Sequence, residues 1–418
     1  VTKKRKKAMN LAGDILKRLI KEVAIWLYLT TYRYLFLIMS IFPLKNKITF
    51  IVSFGDNSLF LYEEMKRQQI QCDTVFLYSR SCKYNLKFKD AVSIKFETLN
   101  LINIILSIYH IATSRTVIID NYYAFLSVVN FKKNVKCIQV WHAAGAFKKF
   151  GLKDHSIKDR NRKDIKRFKN VYKRFSEVIV GSDIMGQIFQ EAFDLSASQI
   201  LRVGIPRTDI FFNEQNKQLI VTNILNKFPY LKNKKRILYA PTFRDESLDS
   251  FELRLDLDLM KEKLGKDYVI LLRLHPAIRN ELDIRDINQD FVFDFSDYVD
   301  VNEILMITDI LITDYSSIPF EYSLLKRPMI FFAYDLEEYI HERGVWFDYK
   351  EMIPGPLALT TTEIIDQIRN NSFNLEEIEA FSDMWNKYST GQSSQQLIHY
   401  LSPFIQKKEQ REKMQYPG

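Results

Sequence analysis

Glycine is scarce in this chain, at 12 of 418 residues, less than half the usual share of about 7%. No G-x-x-x-x-G-K-S/T and no G-x-G-x-x-G run occurs, which excludes P-loop nucleotide hydrolases and the standard dinucleotide fingerprint. Any phosphate site must be built from something other than a glycine-rich loop. Cysteine is equally thin. Cys72, Cys82 and Cys137 form no C-x-x-C pair, so a disulfide framework or structural zinc site is not expected and a reducing cytosolic setting fits. There is no internal repeat or low-complexity tract, and 47% hydrophobic with 27% charged residues is globular composition. At about 150 residues per domain the length implies two or three domains.

Charge is present but unevenly placed. The net charge is +9. Residues 1–49 carry +9 and residues 148–174 another +9, which leaves the rest of the chain at −9. Two basic patches on an acidic body seek phosphates, either of nucleic acid or of an anionic membrane surface. The first patch opens with Lys3-Lys4-Arg5-Lys6-Lys7 and runs into Val23–Phe42, where sixteen of twenty residues are apolar or aromatic. That length could span a bilayer, but Arg33 at its middle would cost about 2.5–3.5 kcal/mol. The stretch is also too long, and lacks the cleavage site, for a signal peptide. The expectation is a helix lying in the cytoplasmic leaflet interface with aromatics at headgroup depth and lysines on anionic lipid. The plainer reading is a helix packed on the body.

From residue 47 onward short apolar runs alternate with helical stretches. Ile48–Phe54, Thr74–Tyr78, Thr116–Asp120, Val135–Val140, Glu177–Val180 and Ile200–Val203 read as buried parallel strands, and Arg236–Ala240, Tyr268–Leu274, Asp309–Thr313 and Met329–Phe332 resume the pattern. The expected architecture is α/β, with two doubly wound halves and a cleft between them. The divisions are a membrane-associating segment 1–46, a first Rossmann-like domain 47–212 with its basic segment 148–174, a second domain 213–404 closed by the C-terminal helices, and a frayed tail 405–418.

Four segments sit where strands end. His142, in Trp141-His142-Ala143-Ala144-Gly145, can accept a hydroxyl proton near neutral pH; the plain alternative is a histidine bonded to backbone. In Tyr239-Ala240-Pro241-Thr242-Phe243-Arg244, Thr242 offers a hydroxyl and Arg244 a charged fork for phosphate. Arg273-Leu274-His275-Pro276 supplies a second strand-end histidine. In Thr313-Asp314-Tyr315-Ser316-Ser317-Ile318-Pro319-Phe320-Glu321, Ser316 or Ser317 caps a helix whose free N–H groups make an anion site, and Glu321 could meet ribose hydroxyls. Asp256-Leu257-Asp258 resembles a metal motif only by letters and reads as a solvated helix face. No protein-held metal and no cofactor is expected.

Together the segments WHAAGAFKKFGL, VGIPRTDIFF, YAPTFR, RLHP and ITDYSSIPFEY resemble the CDP-glycerol glycerophosphotransferase family of teichoic acid synthesis, from about Lys47 to Leu401. The His-Ala-Ala-Gly-Ala form, where polymerases tend to carry His-Gly-Thr-Pro-Leu-Lys, resembles the primase branch that adds the first glycerol phosphate. The resemblance implies a GT-B fold and transfer of glycerol phosphate from CDP-glycerol to the ManNAc hydroxyl of an undecaprenyl-diphosphate-linked GlcNAc-ManNAc disaccharide, with release of CMP. It implies His142 and His275 as the family's histidines and Thr313 to Glu321 as the nucleotide-phosphate segment. Thr242, Arg244, Arg273, Asp314, Ser316 and Ser317 would complete the donor site. Lys148, Lys149, Arg160, Arg162, Lys166 and Arg167 would face the acceptor and an anionic membrane surface, on the cytoplasmic side, with no nucleic-acid partner. A polymerase of glycerol or ribitol phosphate, or a sugar-nucleotide glycosyltransferase on the same fold, remain as alternatives. The sequence leaves the oligomeric state open.

Overall fold

A computed structural model of the chain describes residues 2–242, 244, 253–274 and 290–405, with side chains inside the first helix described from Leu16 onward except at 18. His275 and nearly all of the expected tail lie outside these residues.

Two parallel sheets carry the fold. The first contains β1 (Lys45–Val52), β2 (Asp73–Tyr78), β3 (Val92–Lys95), β4 (Ser114–Ile119), β5 (Lys136–Gln139), β6 (Glu177–Ile179) and β7 (Ile200–Leu201), in the order 3-2-1-4-5-6-7. The second contains β8 (Lys235–Ala240), β9 (Tyr268–Leu272), β10 (Val292–Asp294), β11 (Ile310–Thr313), β12 (Met329–Phe332) and β13 (Leu357–Ala358), in the order 10-9-8-11-12-13. Both orders reverse direction between the lobe's first and fourth strands, and ligands bind at the carboxyl ends beside such a reversal. The central strands read as unbroken apolar runs because helices cover both faces. Phe50, Ile51, Ile118 and Ile119 are fully buried in the first sheet, as are Ile237, Leu238, Leu311 and Ile312 in the second.

Helices α1 (Thr2–Met39), α2 (Asp56–Arg67), α3 (Leu101–Thr113), α4 (Arg162–Tyr172) and α5 (Asp183–Phe193) belong to the first lobe. The helix Ser393–Ile405 corrects the expected division. It does not close the second lobe but crosses back onto α2, β1 and β4, where the Tyr400 hydroxyl joins the Lys136–Glu177 ion pair. Asp256, read from sequence as part of a solvated helix face, is the N-cap of the helix Leu257–Leu264 and accepts from the Leu259 N–H.

The N-terminal segment forms one long helix, α1, which packs on the body along one side. It packs through a narrow seam, Tyr32 stacking on Phe125 at 4.8 Å and Phe36 edge-on to Phe131 at 6.0 Å. Around that seam Leu19, Ile20, Val23, Trp26, Leu37 and Ile38 are all more than half exposed. Among the described residues no helix is long and apolar enough to cross a membrane.

Candidate active site

The first lobe's reversal lies between the ends of β1 and β4, and Asp120 closes it. Its carboxylate accepts the backbone N–H groups of Ser53, Phe54 and Gly55 at 2.8–3.0 Å and the Tyr123 hydroxyl at 2.9 Å. Burial pushes its pKa up to about 6, against the pull of those donors. The loop it gathers brings Phe54 face to face with His142, ring centroids 4.1 Å apart, while Trp141 stacks on His142 at 4.3 Å. The half-buried imidazole is thus held between two aromatic rings.

Its Nδ1 lies 3.2 Å from the Asp120 carbonyl oxygen. A carbonyl can only accept, so Nδ1 carries the proton and Nε2 is left with its lone pair. Desolvation, with the charges of Arg207 and Lys148 adding to it, lowers the His142 pKa to about 4. The ring is neutral at physiological pH, so the Nε2 lone pair is available to a proton.

The backbone carrying His142 is unusual. Trp141 has φ +52°, a left-handed conformation that bulky residues avoid. It is held there from both sides: its N–H donates to the Gln139 side chain at 2.9 Å, and its carbonyl accepts from the Asn57 amide at 2.9 Å. The buried Asn57 also accepts the Arg207 N–H. Arg207 in turn is sandwiched between the carboxylates of Asp56 and Glu321. Burial works against its charge, but Glu321 and Asp56 raise its pKa well above the ordinary range.

Glu321 belongs to the second lobe, and through it the two walls meet. Besides Arg207, its carboxylate accepts the Ala144 N–H at 3.0 Å, two residues beyond His142. Gly145 is needed at this junction, since a Cβ there would lie 2.3 Å from the Phe320 ring. Phe147 then packs on Phe320 and Tyr349, at 4.7 and 5.4 Å. Next along, Lys149 and Trp346 donate backbone hydrogen bonds across the junction to Gly344 and Phe147. The turn after His142 is therefore docked directly onto Phe320 and Glu321 of the second lobe.

A family model described as CDP-Glycerol:Poly(glycerophosphate) glycerophosphotransferase matches residues 34–402. The chain belongs to this glycerophosphotransferase family. It is 38% identical over 362 residues to the teichoic acid glycerol-phosphate primase of Bacillus subtilis (strain 168), covering 86% of this chain and 93% of that one. It is 34% identical to a teichoic acid poly(ribitol-phosphate) polymerase of Bacillus spizizenii (strain ATCC 23059 / NRRL B-14472 / W23), over 87% of this chain but only 57% of the polymerase. Among solved structures it is similar to a histidine variant of the wall teichoic acid polymerase TagF soaked with CDPG, with TM-score 0.75, 30% identity, and 88% and 90% of the two chains covered. The GT-B reading of the two lobes and the transferase class of this glycerophosphotransferase thus hold.

The donor-side expectations fare unevenly. Ser316 and Ser317 are half-buried at the mouth of the second wall. The helix they precede has only five residues, Ile318–Tyr322, and Ser317 makes no side-chain cap bond, while Ser316 Oγ accepts weakly from Ile318 N–H at 3.3 Å. One turn has little macrodipole to offer, so the hydroxyls rather than a helix field are what this segment presents. Glu321 is corrected: buried and spoken for by Arg207 and Ala144, it does not stand free for a ribose. Arg244 is corrected too. Its guanidinium is bound by Asp314 and Asp335 and lies about 5 Å from the Tyr315 and Tyr339 ring centres.

Thr313 and Asp314 act as ties within the second lobe, Thr313 Oγ1 donating to the Ala240 carbonyl and Asp314 accepting the Thr242 N–H. The Thr242 hydroxyl itself is buried without a partner among the described residues. Arg273 donates to the carbonyls of Phe295 and Tyr298 and so fixes the neighbouring loop. Of the basic set, Lys148 and Lys149 lie in the strand-like junction between lobes and Arg167 is paired with Asp164. Arg160, Arg162 and Lys166 are exposed. The residues missed from sequence are Phe54, Asp56, Asn57, Asp120 and Arg207. Asp120 had a visible signal, a carboxylate ending an apolar strand.

Proposed function

We propose that this glycerophosphotransferase transfers glycerol phosphate from CDP-glycerol to the ManNAc hydroxyl of an undecaprenyl-diphosphate-linked disaccharide, adding the first unit and releasing CMP. The observation carrying this reading is the contact of Ala144 with Glu321, which sets the imidazole loop against the segment bearing Ser316 and Ser317. His142 Nε2 takes the acceptor hydroxyl's proton as the oxygen attacks the β-phosphorus. The bond from that phosphorus to the bridging oxygen breaks, and CMP leaves with the electron pair. Ser316 and Ser317 hydrogen-bond the diphosphate, and His275 is assigned to the same task on sequence grounds. Such a transfer gains mainly from positioning and electrostatics, so no covalent intermediate is needed.

The exposed apolar face of α1 fits peripheral attachment to a cytoplasmic leaflet. Helices α1 and α4 both pack on the short turn Ala124–Ser127, which puts the apolar face and the basic helix on neighbouring surfaces, as an anionic membrane would require. Purified protein, CDP-glycerol and a lipid-linked disaccharide analogue test the reading. CMP release with a product heavier by one glycerol phosphate is expected. A ladder of longer products would instead identify a polymerase, the reading the similarity to the ribitol-phosphate polymerase keeps in play.

A further inference from the structure

A cavity of about 230 Å³ lies between α4 and the carboxyl end of β5, one ring away from His142. Its lining includes Tyr122, Trp141, Phe168 and Tyr172 together with Asp154 and Arg160. Resting on the function proposed above, we propose that this cavity is the subsite for one sugar ring of the acceptor.

Several independent features lead there. The first is chemistry. A mainly aromatic lining with a few polar groups suits a ligand that is apolar on its ring faces and polar at its rim, which describes a pyranose. A polyprenyl chain would leave Asp154 and Arg160 without a role. The second is size. Pockets for drug-sized ligands run to roughly 300–1,000 Å³, so this cavity holds one ring rather than a disaccharide.

The third is the strained backbone of Trp141. Held at φ +52°, the indole stacks on His142 at 4.3 Å and on Phe150 at 5.0 Å, forming a continuous wall from the imidazole to the cavity. Strain kept by surrounding bonds marks a position whose geometry matters. The fourth is location. Tyr122 and Phe168 meet at 5.2 Å, and Phe168 lies on α4, the basic helix that shares the Ala124–Ser127 turn with α1. A ring seated here would have its lipid-bearing end toward the apolar face of α1.

The test uses the full chain and a soluble GlcNAc-ManNAc disaccharide carrying no lipid, with binding read by saturation-transfer NMR and needing no turnover. Wild type should transfer saturation to one ring more strongly than to the other. Ile157→Trp, which adds bulk to the cavity lining, should weaken disaccharide binding at least tenfold while far-ultraviolet circular dichroism and the urea unfolding midpoint stay unchanged. Phe168→Leu, which keeps bulk but removes a flat face, should weaken it several-fold and decides the matter if Ile157→Trp does not fold. No binding to wild type, or undiminished binding to the folded variants, overturns the subsite. Failure of the broader function shows separately, as absence of CMP release from wild type with a lipid-linked acceptor.

Discussion

The two lobes solve one topological problem with the same residue type and obtain different results. In each, an aspartate follows the strand beside the sheet reversal and accepts backbone N–H groups from the loop after the lobe's first strand: Asp120 from Ser53–Gly55 and Asp314 from Thr242. Asp314 is neutralised by Arg244, so its surroundings form a closed, self-satisfied tie. Asp120 has no ion-pair partner among the described residues, and its backbone carbonyl orients His142. A carboxylate paired with a guanidinium builds a rigid wall, whereas one held by amides and the Tyr123 hydroxyl leaves the neighbouring imidazole as the reactive group.

Substitutions can break that contrast. The largest effect is expected at His142: His142→Ala should lower turnover by about 10²–10⁴-fold with CDP-glycerol affinity little changed, measured by CMP release and by calorimetry. Arg207→Met leaves two buried carboxylates without their cation and should cost about 3–5 kcal/mol of stability, read from urea unfolding. Asp120→Asn keeps the shape but replaces an acceptor oxygen by an amide facing N–H donors. About 1–3 kcal/mol is expected from the unsatisfied groups, with a fall in kcat at unchanged donor KM. If the lobes were equivalent, Asp314→Asn would have the same kinetic signature; here it should chiefly lower stability.

The pH dependence sharpens the comparison with a smaller effect. Because burial lowers the His142 pKa to about 4, the protonated, inactive form accumulates only below that value. The His142 limb of kcat/KM should therefore lie near pH 4, below a separate limb near pH 6 from protonation of Asp120, which Asp120→Asn should remove. A limb at 6.5, the ordinary histidine value, that persists in Asp120→Asn would mean that the imidazole is solvated.

Much of this contrast was invisible in the sequence for a physical reason. Buried parallel strands announce themselves as apolar runs, so the strands at the centre of both sheets were legible. The edge strands Val92–Lys95, Val292–Asp294 and Leu357–Ala358 were not, because two to four residues with partial exposure give no periodic signal. His142 was legible as a strand-end histidine before a small-residue turn. The Asp56–Arg207–Glu321 junction was not. Its members stand 151 and 114 positions apart, and nothing local distinguishes a buried charge from a solvated one. That same distance explains why Glu321 and Arg244 read as ligand contacts when the fold uses them as ties.

The central claim is that a neutral imidazole and the Ser316–Ser317 segment face one another across the lobes and share one diphosphate. A crystal structure of the full chain with CDP-glycerol tests it most directly. The β-phosphorus should sit beside His142 Nε2 with space for a single hydroxyl between them and with the diphosphate oxygens on Ser316 and Ser317. A donor bound with its diphosphate remote from His142, in lobes closed as they are here, would contradict it.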